Sequence, residues 1–241
     1  MVKDALLAGK HVMCEKPLAM TSTETTELVN LAKTSGLVTG VTYNIRFYPM
    51  NLEARQLIHE ESVGKIFSIS GSYVQDWLLY ENDYNWRVSS DKGGALRAVA
   101  DIGTHWIDLI YSITGLDVEA VCANLTTVHS VRHKPVGEVE TFTGSKKDLS
   151  RQPISVDTED CGSILFRYKN GAQGILWVSQ VTAGYKNRIR YEIAGSKQSI
   201  SWDSDKANQL LVGHRDRANE ILEKDPGLVS YPTAHFIDYP G

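Results

Sequence analysis

Apolar residues recur first with a helical period and later with a period of two, so the chain divides into a helix-and-strand beginning and a strand-rich remainder. Near the start, Ala5, Leu6, Leu7 and Ala8 read as the end of a helix stopped at Gly9, and residues 11–14 as a short strand. Thr21 with Glu24 three positions on has the spacing of a capping box, and Leu28, Leu31 and Ala32 carry an apolar stripe to Gly36, which predicts a helix. Residues 37–43 form an apolar run too short for another helix. Residues 11–43 therefore read as β-α-β, a unit that calls for a larger parallel sheet than two strands can make. A second helix is expected over 51–61, closed by Gly64, after a connection at 44–49.

From residue 65 the period changes. Phe67, Ile69, Gly71 and Tyr73 fall on one face of an expected strand over 65–77, with mostly serines on the other. An aromatic-rich loop over 76–92 carries Trp77, Tyr80, Tyr84 and Trp86. Residues 93–115 return to a helical period, with Ile102, Trp106, Leu109, Ile110 and Ile113 as an apolar face ended by Gly115. A long strand is expected over 118–131 and a loop or lobe over 132–153. Hairpins follow, pairing 157–168 with 173–182 around Asn170-Gly171, and 187–194 with 198–202 around Gly195-Ser196. These strands make an antiparallel sheet. A short strand at 210–212 and a tail from Ala218 that is helical for a few residues complete the pattern.

The helix over 93–115 also concentrates ionisable groups. Asp101, His105 and Asp108 sit at i, i+4 and i+7, within roughly 40° of one another around a helix axis. Gly103 between them costs up to about 1 kcal/mol of helix propensity against alanine, a defect that fits a backbone approached closely at that point. The same spacing fits a core helix whose Asp and His merely satisfy one another, so spacing leaves both readings open.

Composition narrows the function classes. With 241 residues, 42% hydrophobic and 22% charged, the sequence is that of an ordinary globular chain. Its net charge of −4 includes no basic block, which removes the electrostatic footprint of a nucleic-acid or anionic-membrane binder. Three scattered cysteines fit reduced thiols, and no apolar run is long enough for a secretory leader or a membrane span, so a cytoplasmic location is expected. No ligand set has zinc spacing, and His129 with His133 reads as a surface feature, so no metal is expected.

Three motifs carry more. The run Ala8-Gly9-Lys10-His11-Val12 into Cys14-Glu15-Lys16-Pro17, then Gly93-Gly94, then Asp101-x-Gly103-x-His105-x-x-Asp108, together resemble the Gfo/Idh/MocA family of NAD(P)-dependent oxidoreductases. The resemblance covers nearly the whole chain. It implies an α/β (α+β) protein, with the C-terminal remnant of a nucleotide-binding Rossmann domain over 1–43. Over 44–241 it implies a substrate-binding and oligomerisation domain with an open, mainly antiparallel sheet packed on helices. Members carry a GxGxxG-type fingerprint in their first turn, and no such motif occurs here. The chain is therefore expected to lack most of the nucleotide-binding domain and the closing segment at its other end. That would leave apolar surface at Leu6, Leu7, Val12, Val38 and Val41, with NAD or NADP binding impaired and the fragment itself inactive.

The resemblance also implies roles. Lys16 would stabilise a developing alkoxide where nicotinamide and substrate meet. His105 would take the proton of a substrate hydroxyl, and Asp101 would bond that hydroxyl or hold the imidazole in its productive tautomer. Glu15, Lys16, Pro17 and Asn44 would contact the cofactor, and Arg46, Trp86 and Arg87 the substrate. Tyr43 falls at the junction of the domains, and Asp108 is given a structural role. The implied reaction is hydride transfer between NAD(P) and a hydroxyl carbon of a sugar, cyclitol or related polyol, in a homo-oligomer built through the antiparallel sheet. Three alternatives stay open: an NAD-dependent glycoside-cleaving relative, a non-catalytic assembly and substrate-binding module, and a metal-dependent hydrolase built on Asp101, His105 and Asp108.

Overall fold

Thr21 caps its helix as the spacing predicts. Its hydroxyl accepts the Glu24 N–H at 3.2 Å, while Glu24 Oε2 accepts the Thr21 N–H at 3.2 Å. In the computed structural model, which describes residues 1–136 and 150–237, the chain divides into two units, Met1–Asn44 and Ile45–Gly241. The first holds α1 (Val2–Leu7), β1 (Val12–Cys14), α2 (Ser22–Ser35) and β2 (Thr39–Val41). β1 and β2 pair in parallel, Val12 opposite Thr39 and Cys14 opposite Val41. Gly36, at φ 67°, ends α2 in the left-handed conformation that glycine adopts without steric cost. Leu6 is buried, but Leu7, Met13 and Val38 lie open on this unit.

The second unit begins with α3 (Pro49–His59) and β3 (Ile66–Val74). It continues with α4 (Ser90–Gly93), α5 (Thr104–Thr114), β4 (Val118–Thr126), β5 (Val131–Pro135) and β6 (Arg151–Ser155). Then come β7 (Cys161–Tyr168), β8 (Gln173–Ser179), β9 (Arg188–Gly195), β10 (Ser199–Asp203), β11 (Gln209–Gly213), β12 (Glu220–Glu223) and α6 (Tyr231–Ala234). Eight strands form one sheet in the order β12-β11-β10-β9-β3-β8-β7-β4, antiparallel throughout except where β3 runs parallel to β8. Both expected hairpins form. At the first, Asn170 Oδ1 accepts the Ala172 N–H at 2.9 Å and Gly171 takes φ 87°.

One face of this sheet carries the core. Met50 and Ala54 of α3 and Trp106, Leu109, Ile110 and Ile113 of α5 pack with Ile69, Leu176, Tyr191 and Trp202 of the strands. Trp106 rests directly on the backbone of β3 at Gly71: a Cβ there would lie 2.3 Å from its Nε1 and 2.3 Å from the Arg190 carbonyl oxygen. Glycine at 71 is thus what lets the indole reach that carbonyl, to which it donates at 3.0 Å. Gly71→Ala is expected to lower the stability of this unit by about 1–3 kcal/mol through overpacking. All five tryptophans lie in the second unit, so the urea midpoint followed by tryptophan fluorescence reads the effect; an unshifted midpoint would mean that the helix seats differently.

Several expectations are corrected. The helix over 93–115 is interrupted: α4 ends at Gly93, residues 94–97 are not helical, and Val99–Gly103 winds as a π turn before α5 begins. A Cβ on Gly103 would meet nothing closer than Val99 Cγ1 at 3.5 Å, so the chain's own packing does not require glycine there. Phe67 leaves the covered face because β3 shifts register against β9 between Ile66 and Ser68. The long strand over 118–131 is two strands, β4 and β5, and the flanks of the 132–153 loop pair as β5 with β6. Residues 137–149 of that loop, and 238–241 of the tail, lie outside the described residues. The tail opens with the edge strand β12 where a helix was expected, because Leu222 and Ile221 pair with Leu210 and Leu211 of β11.

Candidate active site

The head of α5 is built by the π turn, and the turn is built by charge. Glu159, buried just before β7, accepts the backbone N–H of Arg97 at 2.9 and 3.0 Å and that of Val99 at 2.8 Å. A carboxylate thus answers N–H groups at a helical N-terminus, where the peptide dipoles favour negative charge. Beside it Asp160 binds the guanidinium groups of Arg97 and Arg132, the latter at 2.6 Å, and all three side chains are fully buried. Its second oxygen accepts the N–H groups of Val128 at 2.7 Å and His129 at 3.0 Å. Burial pushes the Asp160 carboxyl up, but the His129 N–H and the two guanidinium groups outweigh it and hold the group below the usual carboxylate range. Arg132 in turn donates to the carbonyls of Leu78, Tyr80 and Asp83 at 2.9, 2.9 and 3.0 Å. The loop before α4 and the entry to α5 are therefore fastened to one buried cluster.

Asp101 projects from the π turn. Its Oδ2 accepts the Gln180 side-chain amide at 2.9 Å, and its Oδ1 lies 3.5 Å from Arg87 Nε. The Arg87 guanidinium lies 4.6 Å over the ring of Trp86, which is exposed. Trp86, Arg87 and Asp101 are therefore contiguous, an aromatic face, a cation and a carboxylate in sequence. His105 sets its ring edge-on to Tyr73, with centroids 6.2 Å apart. The Tyr73 hydroxyl donates to Asn187 Oδ1 at 2.8 Å and, with burial as the main cause and the Asp101 charge adding to it, its pKa is pushed up to about 12. It stays a neutral donor at any working pH.

The expected stripe of Asp101, His105 and Asp108 does not act as one set. Asp108 binds Arg46 through two contacts, one of them Nε to Oδ2 at 3.0 Å. Asp108 thus engages Arg46, expected at the substrate, in an ion pair. Among the described residues no group of three or more His, Cys, Asp and Glu could hold a metal ion, and no helix is long and apolar enough to cross a membrane.

In the first unit, Glu15-Lys16-Pro17 follows β1 directly, with a cis Lys16-Pro17 bond, and Asn44 lies just beyond β2. Thr42 ties the two strand ends, its N–H and hydroxyl reaching the Cys14 carbonyl at 2.9 and 3.1 Å. All four expected cofactor residues therefore lie off the carboxyl ends of parallel strands, the edge at which open α/β sheets take their ligands. The residues present fit a dinucleotide.

Residues 1–43 match the family model described as the oxidoreductase family NAD-binding Rossmann fold, and residues 51–201 match the one described as the GFO/IDH/MocA C-terminal domain. The chain belongs to the Gfo/Idh/MocA oxidoreductase family. Levoglucosan dehydrogenase of Pseudarthrobacter phenanthrenivorans is 32% identical over 206 residues, 85% of this chain and 52% of that protein. The chain spans about half the length of the curated relatives it matches. A solved levoglucosan dehydrogenase in complex with NADH and L-sorbose superposes with a TM-score of 0.84 at 29% identity, covering 98% of this chain and 59% of that one. An inositol dehydrogenase homologue from Azotobacter vinelandii, complexed with NADH and myo-inositol, gives 0.79 at 26% identity, covering 100% and 56%. This Gfo/Idh/MocA chain thus has the mixed α/β fold and mainly antiparallel sheet that its motifs implied, and its family is NAD-binding.

Sequence reasoning missed the buried cluster and Gln180. One signal was present: Thr158-Glu159-Asp160 interrupts a segment read as strand with three polar residues in succession, where a half-buried strand would alternate.

Proposed function

We propose that the protein transfers hydride between NAD or NADP and a hydroxyl carbon of a sugar, cyclitol or related polyol. The observation that carries this reading is the carboxylate of Asp101, held between Arg87 and Gln180 on the π turn one helical step before His105. His105 takes the proton from the substrate hydroxyl, Asp101 bonds that hydroxyl, and the Lys16 charge steadies the oxygen as it becomes an alkoxide. Trp86 offers an apolar face to sugar C–H groups and Arg87 donors to their hydroxyls. When bound, the nicotinamide supplies the hydride acceptor, and Glu15, Lys16, Pro17 and Asn44 hold it. Relatives named as levoglucosan, D-xylose and inositol dehydrogenases support the substrate class, and three free cysteines agree with a cytoplasmic site of action.

The test is calorimetry of NAD and NADP with the 241-residue chain, followed by NADH formation with levoglucosan, myo-inositol and D-xylose. Binding weaker than that of levoglucosan dehydrogenase is expected, because no GxGxxG fingerprint is present. Failure of both cofactors to bind would favour a substrate-binding and assembly module instead, and glycoside cleavage without net NADH would favour transient oxidation.

We also propose that a second copy covers the open sheet face. Leu165 and Ile175, with Trp177 two residues along β8, make one exposed apolar group, and Leu211 with Ile221 another, with Ser70, Glu192 and Ser201 between them on the same row of cross-strand partners. Two apolar groups flanking a polar strip are costly to leave in water and suit a self-complementary contact. Sedimentation is expected to give a dimer or larger assembly that Trp177→Asp dissociates; a monomeric wild-type chain would dispose of this reading.

A further inference from the structure

We propose that Gln180 is a positioning residue for the dehydrogenation, fixing the Asp101 carboxylate through a neutral amide bond on one of its two oxygens. The inference rests on the reading of Asp101 given under the proposed function. Gln180 stands immediately after β8 and is fully buried. Its backbone is held on both sides, its N–H donating to the Asp160 carbonyl at 2.9 Å and its carbonyl accepting the Leu78 N–H at 3.2 Å. Asp160 is the buried centre that binds Arg97 and Arg132, so the amide starts from a rigid base. From there it reaches Asp101 Oδ2 at 2.9 Å.

The choice of an amide has a chemical reason. Among the groups facing Asp101 are Arg87 from the loop, at 3.5 Å from Oδ1, and Tyr73 from β3, whose hydroxyl feels the Asp101 charge. His105 of α5 stands edge-on to Tyr73 on the same side. A second cation on Oδ2 would neutralise the carboxylate as an acceptor, and a carboxylate there would force the pair to share a proton. A primary amide orients the group and leaves its charge for the hydroxyl being oxidised. Gln180 touches neither substrate nor cofactor in this scheme and acts only through Asp101.

Gln180→Leu, Gln180→Glu and Asp101→Asn are compared in the polypeptide carrying these 241 residues. Gln180→Leu is expected to lower kcat about 10- to 100-fold, the loss of one hydrogen bond to a charged group, with KM for NAD unchanged. Gln180→Glu keeps the shape of the side chain and is expected to move the acid limb of the pH–rate profile to higher pH, since the paired carboxyls hold a proton longer. It is also expected to raise the Asp101 carboxyl titration seen by NMR, a readout that needs no turnover and that checks the contact itself, while the shifted pH–rate profile separates positioning from a merely structural role. If Asp101→Asn is inactive while both Gln180 variants keep the wild-type kcat and pH profile, the proposal is overturned and the dehydrogenase reading stands. If Asp101→Asn retains the wild-type kcat, that reading falls and the proposal with it. Should Gln180→Leu not fold, the isosteric glutamate variant decides: an Asp101 titration unmoved by Gln180→Glu overturns the proposal.

Discussion

Asp160→Asn is expected to destabilise the second unit by about 3–5 kcal/mol, the cost of leaving buried guanidinium groups without their counter-charge. No orientation of the new amide helps. One carboxylate oxygen accepts from Arg97 and Arg132, and the other from the N–H groups of Val128 and His129. An amide nitrogen on either side therefore meets donors. Urea unfolding followed by tryptophan fluorescence isolates this unit, since its five tryptophans are all the chain has. The wild-type protein adds a pH signature. The folded-state pKa of Asp160 is depressed, so its stabilisation is complete above the unfolded carboxyl pKa of about 3.9 and is lost as pH falls below it toward the folded value. The acid limb of stability against pH should be shallower in Asp160→Asn. A midpoint within experimental error of wild type would mean that the cluster does not hold the π turn.

His105→Ala is expected to reduce kcat by about 10²- to 10⁴-fold, the range for removal of a general base, with cofactor binding by calorimetry retained. Tyr73 cannot take over the task. With its pKa pushed up to about 12 it remains protonated at neutral pH, and its hydroxyl is committed to Asn187. Tyr73→Phe therefore serves as the control, expected to keep the pH dependence of wild type while His105→Ala loses the limb that an imidazole base contributes. Equal pH profiles in wild type and His105→Ala would assign the proton transfer elsewhere.

What was legible in the sequence was local. The capping box at Thr21 and Glu24, the left-handed stop at Gly36 and the turn at Asn170-Gly171 are set by neighbours within four residues, and each appears where expected; the turn at Gly195-Ser196 appears too, though its Ser196 and Lys197 N–H groups reach back to Lys65 and Val63. The break over 94–97 and the π turn after it were not legible, because they are imposed by Glu159 about sixty residues downstream. The pairing of Arg46 with Asp108 escaped for the same reason: helical spacing groups Asp108 with His105, but a guanidinium from the turn before α3 claims it. Family motifs supplied the residue types of the site. They could not supply Gln180, which belongs to no motif and acts only because the end of β8 is brought beside the head of α5.

The parallel pair at the middle of the sheet bears on how quickly the site assembles. β3 finds β8 only about a hundred residues later, and β9 further still, so both of its neighbours are distant in the chain. Arg87, Glu159 and Gln180, which hold the π turn and its carboxylate, all fall within that span. The loop-closure entropy must be met before any of these contacts is rewarded, which puts refolding in the slow regime of topologically complex domains. The proposed site inside such a loop assembles only once the loop closes, so turnover is expected to return no earlier than the burial of Trp106, which rests on β3 and on the Arg190 carbonyl of β9.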